Sequence, residues 1–141
     1  MDLEKRIRAA KKTSIETNCL GTAFFISGVS SKDGIVKPKS AYYEVLRFLT
    51  PLRKPEEGSI IVLHQVDRIT EFNEAIHAGA ITSTNPVRIV HRIGINGNIV
   101  ENEYLERFRD YLRDQRNHFG KEFRNYLRYY SSIPLELIPF L

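Results

Sequence analysis

The sequence predicts a single α+β domain. Three observations carry that prediction: helical periodicity over the first fifty or so residues, a succession of short apolar strands between 60 and 101, and a return to helical spacing from Glu103 onward. A length of 141 residues suits one compact domain rather than two, and the apolar fraction of 42% is ordinary for a folded chain. The domain is taken as 1–141, with a core over about 15–101 and a C-terminal helical extension over about 102–141.

Residues 2–13 read as a helix, because Leu3, Ile7 and Ala10 recur on one side among Lys and Glu. Thr17 and Asn18 supply N-cap chemistry directly before Cys19, so a second helix is expected from Cys19 to about Ser27, with Gly28 as its stop. It is apolar all round, which predicts a buried central helix. Ser30 to Lys37 reads as a loop. A third helix is expected from about Pro38 to Leu49, with Tyr42, Val45, Leu46 and Leu49 on its apolar face and Thr50-Pro51 ending it. After the turn signal Pro55-Glu56-Glu57-Gly58, the run Ile60-Ile61-Val62-Leu63 is that of a buried strand.

Residues 66–75 read as a connection. Ile76 to Ser83 and Val87 to Gly94 follow as two strands joined at Thr84-Asn85-Pro86, and Asn96-Gly97 predicts a tight hairpin into a short strand over Asn98 to Glu101. From Glu103 the period changes. Tyr104, Leu105, Phe108, Tyr111 and Leu112 share one helical face, and Phe123, Tyr126, Leu127 and Tyr130 repeat the pattern after Gly120. The tail from Ile133 to Leu141, with two prolines, is expected to pack as an extended strap.

The net charge of +4 is spread along the chain and bears on solubility more than on a nucleic-acid surface. One cysteine excludes an intrachain disulfide and fits a reducing compartment. Charges occupy the first residues where a signal peptide needs an apolar core, and no apolar run approaches a membrane span, so cytoplasmic residence is expected.

Cys19 is the most informative residue. A thiol is nucleophilic as thiolate, and a helix N-terminus lowers its pKa through unpaired N–H groups and the positive end of the dipole. Gly21 is expected to clear space beside the sulfur for a substrate backbone. The competing reading of Cys19 is a small buried hydrophobe. His77 shares a strand face with Gly79 and Ile81, and His91 shares one with Ile89 and Ile93. Both are equally far from Thr84, so a hairpin folded there sets them opposite or diagonal, within about 4.5–8 Å. The bland alternative is a hydrogen-bonded pair of core histidines.

The order of these pieces resembles that of the NlpC-type cysteine peptidases, papain-like enzymes best known for cutting peptidoglycan stem peptides. The matching segments are Asn18-Cys19-Leu20-Gly21, Pro55 to Val62, Ile76-His77-Ala78-Gly79-Ala80-Ile81 and Val90-His91-Arg92, over about residues 18–101. The resemblance implies a papain-like fold with the nucleophile at a helix start packed on an antiparallel sheet. It also implies Cys19 as nucleophile, His77 as general base and later acid, His91 as the residue orienting that imidazole, and the Cys19 N–H in an oxyanion hole. Peptidoglycan-cutting members usually carry Asp-Cys-Ser-Gly, and a tyrosine about a dozen residues earlier. Here the motif is Asn-Cys-Leu-Gly and the first tyrosine is Tyr42, so the chemistry carries over better than the specificity.

His64 is expected at the exposed end of its strand, and His118 at a solvated helix end. Cys19, His77 and His91 have the number of ligands a catalytic zinc needs, but the chain lacks a second cysteine or a closely spaced ligand pair, and no metal or other cofactor is expected. Arg107, Arg109, Arg113, Arg116, Lys121, Arg124 and Arg128 with interleaved tyrosines suggest an RNA-binding face. Glu103, Glu106, Asp110, Asp114 and Glu122 alternate with them, as on an ordinary salt-bridged surface. The expected partner is a small peptide or amide substrate, with neither nucleic acid nor membrane. The function expected is therefore a cysteine peptidase or amidase, with a catalytically inactive binding or regulatory module as the alternative.

Overall fold

The computed structural model describes residues 2–34, 40–111 and 123–132. Among them the chain forms an α+β fold: α1 (Leu3–Lys11), α2 (Cys19–Ile26), α3 (Ser40–Phe48), β1 (Pro51–Leu52), β2 (Ile60–Asp67), β3 (Asn73–Thr84), β4 (Val87–Arg92), β5 (Ile99–Tyr104), α4 (Leu105–Asp110) and β6 (Phe123–Tyr130). The strands make one six-stranded antiparallel sheet in the order β1-β6-β2-β3-β4-β5. No helix among the described residues is long and apolar enough to cross a membrane.

The three N-terminal helices form where their apolar faces, and for α2 its Asn18 cap, predict. The Asp2 carboxylate accepts from Lys5 N at 2.8 Å to open α1, whose Ile7 and Ala10 are buried. Gly28, at φ 89°, closes the turn after α2. Together they cover one face of the sheet. Leu20, Ala23, Phe24, Tyr42, Val45 and Leu49 pack over Ile60, Val62, Ala75 and Ala78. Ile7, Ala10, Phe25 and Ile26 pack over Ala80 and Val90. The opposite face carries Ile61, Leu63, Ile81 and Ile89 beneath Phe108 of α4. Alternate residues of β2 thus enter two different cores, which is why its sequence reads as an unbroken apolar run.

The largest departure from the sequence reading is Phe123–Tyr130, predicted helical and found as strand β6 between β1 and β2. Its aromatic spacing matches a helix, but strand parity sends Leu127 and Tyr129 to the α4 face and Tyr130 to the helix-layer face, and both faces are apolar. Tyrosine-rich sequence favours a strand once such surfaces exist on both sides. The sheet therefore draws on residues beyond 15–101, and among the described residues of the C-terminal helical extension α4 is the one helix. Leu112, His118, Arg113, Arg116, Lys121 and the tail from Ile133 lie outside the described residues.

The connection over 66–75 is also shorter than predicted, because β2 runs to Asp67 and β3 starts at Asn73. The Asp67 carboxylate accepts from Ile69 N (2.8 Å) and Thr70 N (3.3 Å), and Glu71 takes φ 59°, which folds the reversal into five residues, 68–72. His64, predicted at an exposed strand end, is buried. Its Nε2 lies 3.0 Å from Tyr130 Oη, and its ring stacks on Tyr126 at 4.9 Å, because β6 runs alongside it.

Candidate active site

The histidine pair follows from the β3–β4 register. Ala80 pairs with Val90 and Ile81 with Ile89, and an irregularity follows before Ser83–Arg88. Continued one step, that register sets Gly79 across from His91 and leaves His77 diagonal to it. A Cβ on Gly79 would lie 3.2 Å from His91 Cβ, 2.9 Å from the Val90 carbonyl oxygen and 2.7 Å from Ile89 Cγ2. Only glycine admits this approach. The outcome is a hydrogen bond of 2.7 Å between His77 Nε2 and His91 Nδ1, with the rings near-perpendicular at 83°.

Phe108 and Tyr111 roof the pair. Phe108 lies 5.0 Å from the His77 ring and 5.3 Å from His91, and Tyr111 stacks on His77 at 4.3 Å and 19°. Both histidines are buried, at 1% and 2% exposure. Burial, and then the neighbouring His91, push the His77 pKa down to about 3. Burial lowers His91 as well, opposed by the neighbouring Glu103 carboxylate. At neutral pH the pair is therefore neutral, with one N–H shared between the two rings.

Cys19 is the first residue of α2, as the capping pattern predicts. The Asn18 side-chain oxygen accepts from Gly21 N and from Tyr42 Oη, both at 2.8 Å. Cys19 is half-buried against the Leu20–Phe24–Ala78 cluster, on the helix-layer face. The histidines point to the α4 face. Thr17 N donates to Asn96 Oδ1 (2.8 Å) and Asn96 N to the Thr17 carbonyl (3.0 Å), fastening the lead-in to Cys19 onto the turn that follows β4. Since β4 stops at Arg92, His77 is about the first β3 residue beyond its end. Tyr111 stacks on His77, and its phenol pKa is raised by burial and then by the charge of Cys19.

Gly21 plays a different part from the one expected of it. A Cβ there would fall 1.6 Å from the Gly34 carbonyl oxygen, so the bare α-carbon makes room for the protein's own loop rather than for a substrate.

Three residues of this region escape the sequence reading: Tyr111, Glu103 and Arg92. Glu103, read as part of a charged outer surface, places Oε2 3.5 Å from His91 Nε2. It is legible only through register. The Asn96-Gly97 hairpin pairs His91 with Val100, and an extra residue, Asn102 at φ 56°, then brings Glu103 beside Ile89. Arg92, next to His91 but on the other face, is buried and bonds Asp33 (3.0 Å), Thr22 (2.8 Å) and the Ala10 carbonyl (2.9 Å). Among the described residues no group of three or more His, Cys, Asp or Glu side chains is arranged to hold a metal ion. Compared with protein-family models, curated proteins and solved structures, the chain matches none.

Proposed function

We propose that the protein is a cysteine hydrolase of the papain-like, NlpC type, acting on an amide or peptide bond of a small peptide, peptidoglycan-type peptides included. One observation supports the reading: His77 and His91 share a buried hydrogen bond of 2.7 Å beneath Tyr111, which stacks on His77 and also feels the charge of Cys19 at the start of α2. In this mechanism the Cys19 thiol loses its proton to His77 and the sulfur attacks the carbonyl carbon. The oxyanion that forms is met by the Cys19 N–H. Collapse breaks the C–N bond, the amine leaves with the proton from His77, and an acyl thioester remains. Water, giving a proton to His77, attacks the thioester, and the thiol departs reprotonated with release of the carboxylic acid. The test is turnover of a peptide and amide library, muropeptide fragments among it, by wild type and by Cys19→Ala. Hydrolysis by the wild type alone supports the reading, and equal turnover by both excludes it.

A second reading, a papain-like binding or regulatory module without turnover, is favoured by the His77 pKa of about 3. An imidazole so hard to protonate is a poor acid for a leaving amine, unless a nearby thiolate favours its charged form. Covalent trapping of Cys19 by an acylating peptide separates the two. An RNA-binding reading loses part of its premise, because Arg124 and Arg128 lie on strand β6 rather than on a helix.

A further inference from the structure

We infer that Glu103 is a positioning residue of this site: it holds His91 with its proton on Nε2, so that His91 Nδ1 accepts from His77 Nε2–H and the His77 Nδ1 lone pair is left to serve Cys19. The inference deepens the cysteine-hydrolase reading and rests on it.

The bridge between the rings can be made in two ways. In one, His91 donates from Nδ1 to His77, and its own Nε2 carries a lone pair. That lone pair then faces the Glu103 carboxylate at 3.5 Å, setting two acceptors against each other where the side chains of His91 and Glu103 are 1% and 16% exposed. In the other, His91 Nε2–H points at the carboxylate, and every group is matched. His91 Nε2 is buried and makes no hydrogen bond among the described residues, and the Glu103 carboxylate stands 3.5 Å from it. The charge of Glu103 selects the second arrangement. His77 is then a proton donor at Nε2 and a base at Nδ1, as a thiol-activating imidazole requires.

Glu103 is itself held for this work. Its other oxygen, Oε1, accepts from Tyr104 N at 3.1 Å, which fixes the carboxylate plane and turns Oε2 toward His91. The next residue, Tyr104, carries the Arg88 guanidinium 3.8 Å over its ring and leads directly into α4, whose Phe108 roofs the histidines. The segment that supplies the carboxylate thus also closes the pocket from solvent, and a carboxylate of low exposure beside a buried imidazole acts with little screening.

The test reads the proton positions first. In the uniformly 15N-labelled full chain at neutral pH, two-bond ring correlations should show His77 and His91 both protonated on Nε2. In Glu103→Ala the His91 proton should redistribute between the two nitrogens, and alkylation of Cys19 by iodoacetamide should slow about 10- to 100-fold, as loss of an orienting partner does elsewhere. Glu103→Gln, whose amide oxygen can still accept from Nε2–H, should restore the wild-type tautomers and most of the rate. A wild type with His91 protonated on Nδ1 overturns the inference outright, whether or not the alanine variant folds. So do unchanged tautomers in a folded Glu103→Ala protein. A wild type with the assigned tautomers whose Cys19 reacts no faster than an ordinary thiol overturns the hydrolase reading, and with it the catalytic use of the relay, by a separate signal.

Discussion

Arg92 Nη2 lies 3.0 Å from Asp33 Oδ2 in an ion pair whose side chains are 7% and 3% exposed. The same guanidinium bonds Thr22 on α2, the Ala10 carbonyl at the end of α1 and the Gly97 carbonyl (2.6 Å) in the β4–β5 turn, while Asp33 also accepts from Thr13 and Thr22 at 2.7 Å each. One buried cation thereby ties the helix carrying Cys19 to the strand carrying His91. Asp33→Ala strands that cation, and about 3–5 kcal/mol of stability should be lost. Urea unfolding with the native m-value measures it, and a loss below about 1 kcal/mol would show that water reaches Arg92.

Gly79→Ala should disturb the site without touching a reactive atom. The added Cβ meets the Val90 backbone at 2.9 Å, which cannot yield as a flexible side chain can. Overpacking of this kind costs about 1–3 kcal/mol. Strain should appear as altered His91 ring resonances and slower Cys19 alkylation. A variant as stable and reactive as wild type would mean that β4 shifts freely.

The buried histidines set the direction of the pH dependence. His77 takes up a proton near pH 3 in the folded chain, against about 6.5 when unfolded. Between those values the unfolded chain binds the proton and the folded chain does not. Stability is therefore complete above about pH 6.5 and falls as pH drops towards 3, by up to about 1.4 kcal/mol per pH unit for this group. His64, lowered to about 4 by burial, pushes the same way. Urea midpoints at pH 7 and pH 5 should fall in that order, less steeply in a folded His77→Gln variant. Equal midpoints would place the imidazole in water.

Reactivity of Cys19 addresses the chemistry directly. At the start of α2, and with His77 as its proposed base, the thiol should alkylate with iodoacetamide at pH 6, where an ordinary thiol is almost wholly protonated. His77→Ala should slow the reaction. His91→Ala should lower turnover by orders of magnitude with binding largely kept, and the double variant should do little more harm than either single one. Additive losses would mean that the two rings act separately.

The parts of the fold with local signals are legible in the sequence. Capping by Asn18, the apolar period of α1 to α3 and the Asn96-Gly97 turn locate their elements to within a few residues. Strand parity also places the two histidines on one face, opposite or diagonal, and the observed register makes them diagonal. What fails is non-local. Phe123–Tyr130 has a spacing that suits either period, and only the presence of β1 and β2 on its two sides makes it a strand. Glu103 looks like any surface carboxylate until the extra residue Asn102 turns it towards His91. Gly21 points correctly to a close backbone approach, but the approaching chain is the loop at Gly34.

The place of β6 between β1 and β2 also governs the order in which the chain can acquire its shape. Its partners on β2 are 56 residues away at the near end (Asp67 to Phe123) and 70 at the far end (Ile60 to Tyr130). Contacts of such long range are slow to form and contribute only after the intervening loop has closed. During synthesis the inner edge of β2 stays open while β3, β4, β5 and α4 emerge, and Ile60 to Leu63 offers an apolar, uncharged template for pairing with other chains throughout that interval. The hairpins bearing both histidines can form early, from neighbouring sequence. Completion of the β2 edge waits for β6, so a nascent chain carries its histidine pair before it has a sealed fold around it.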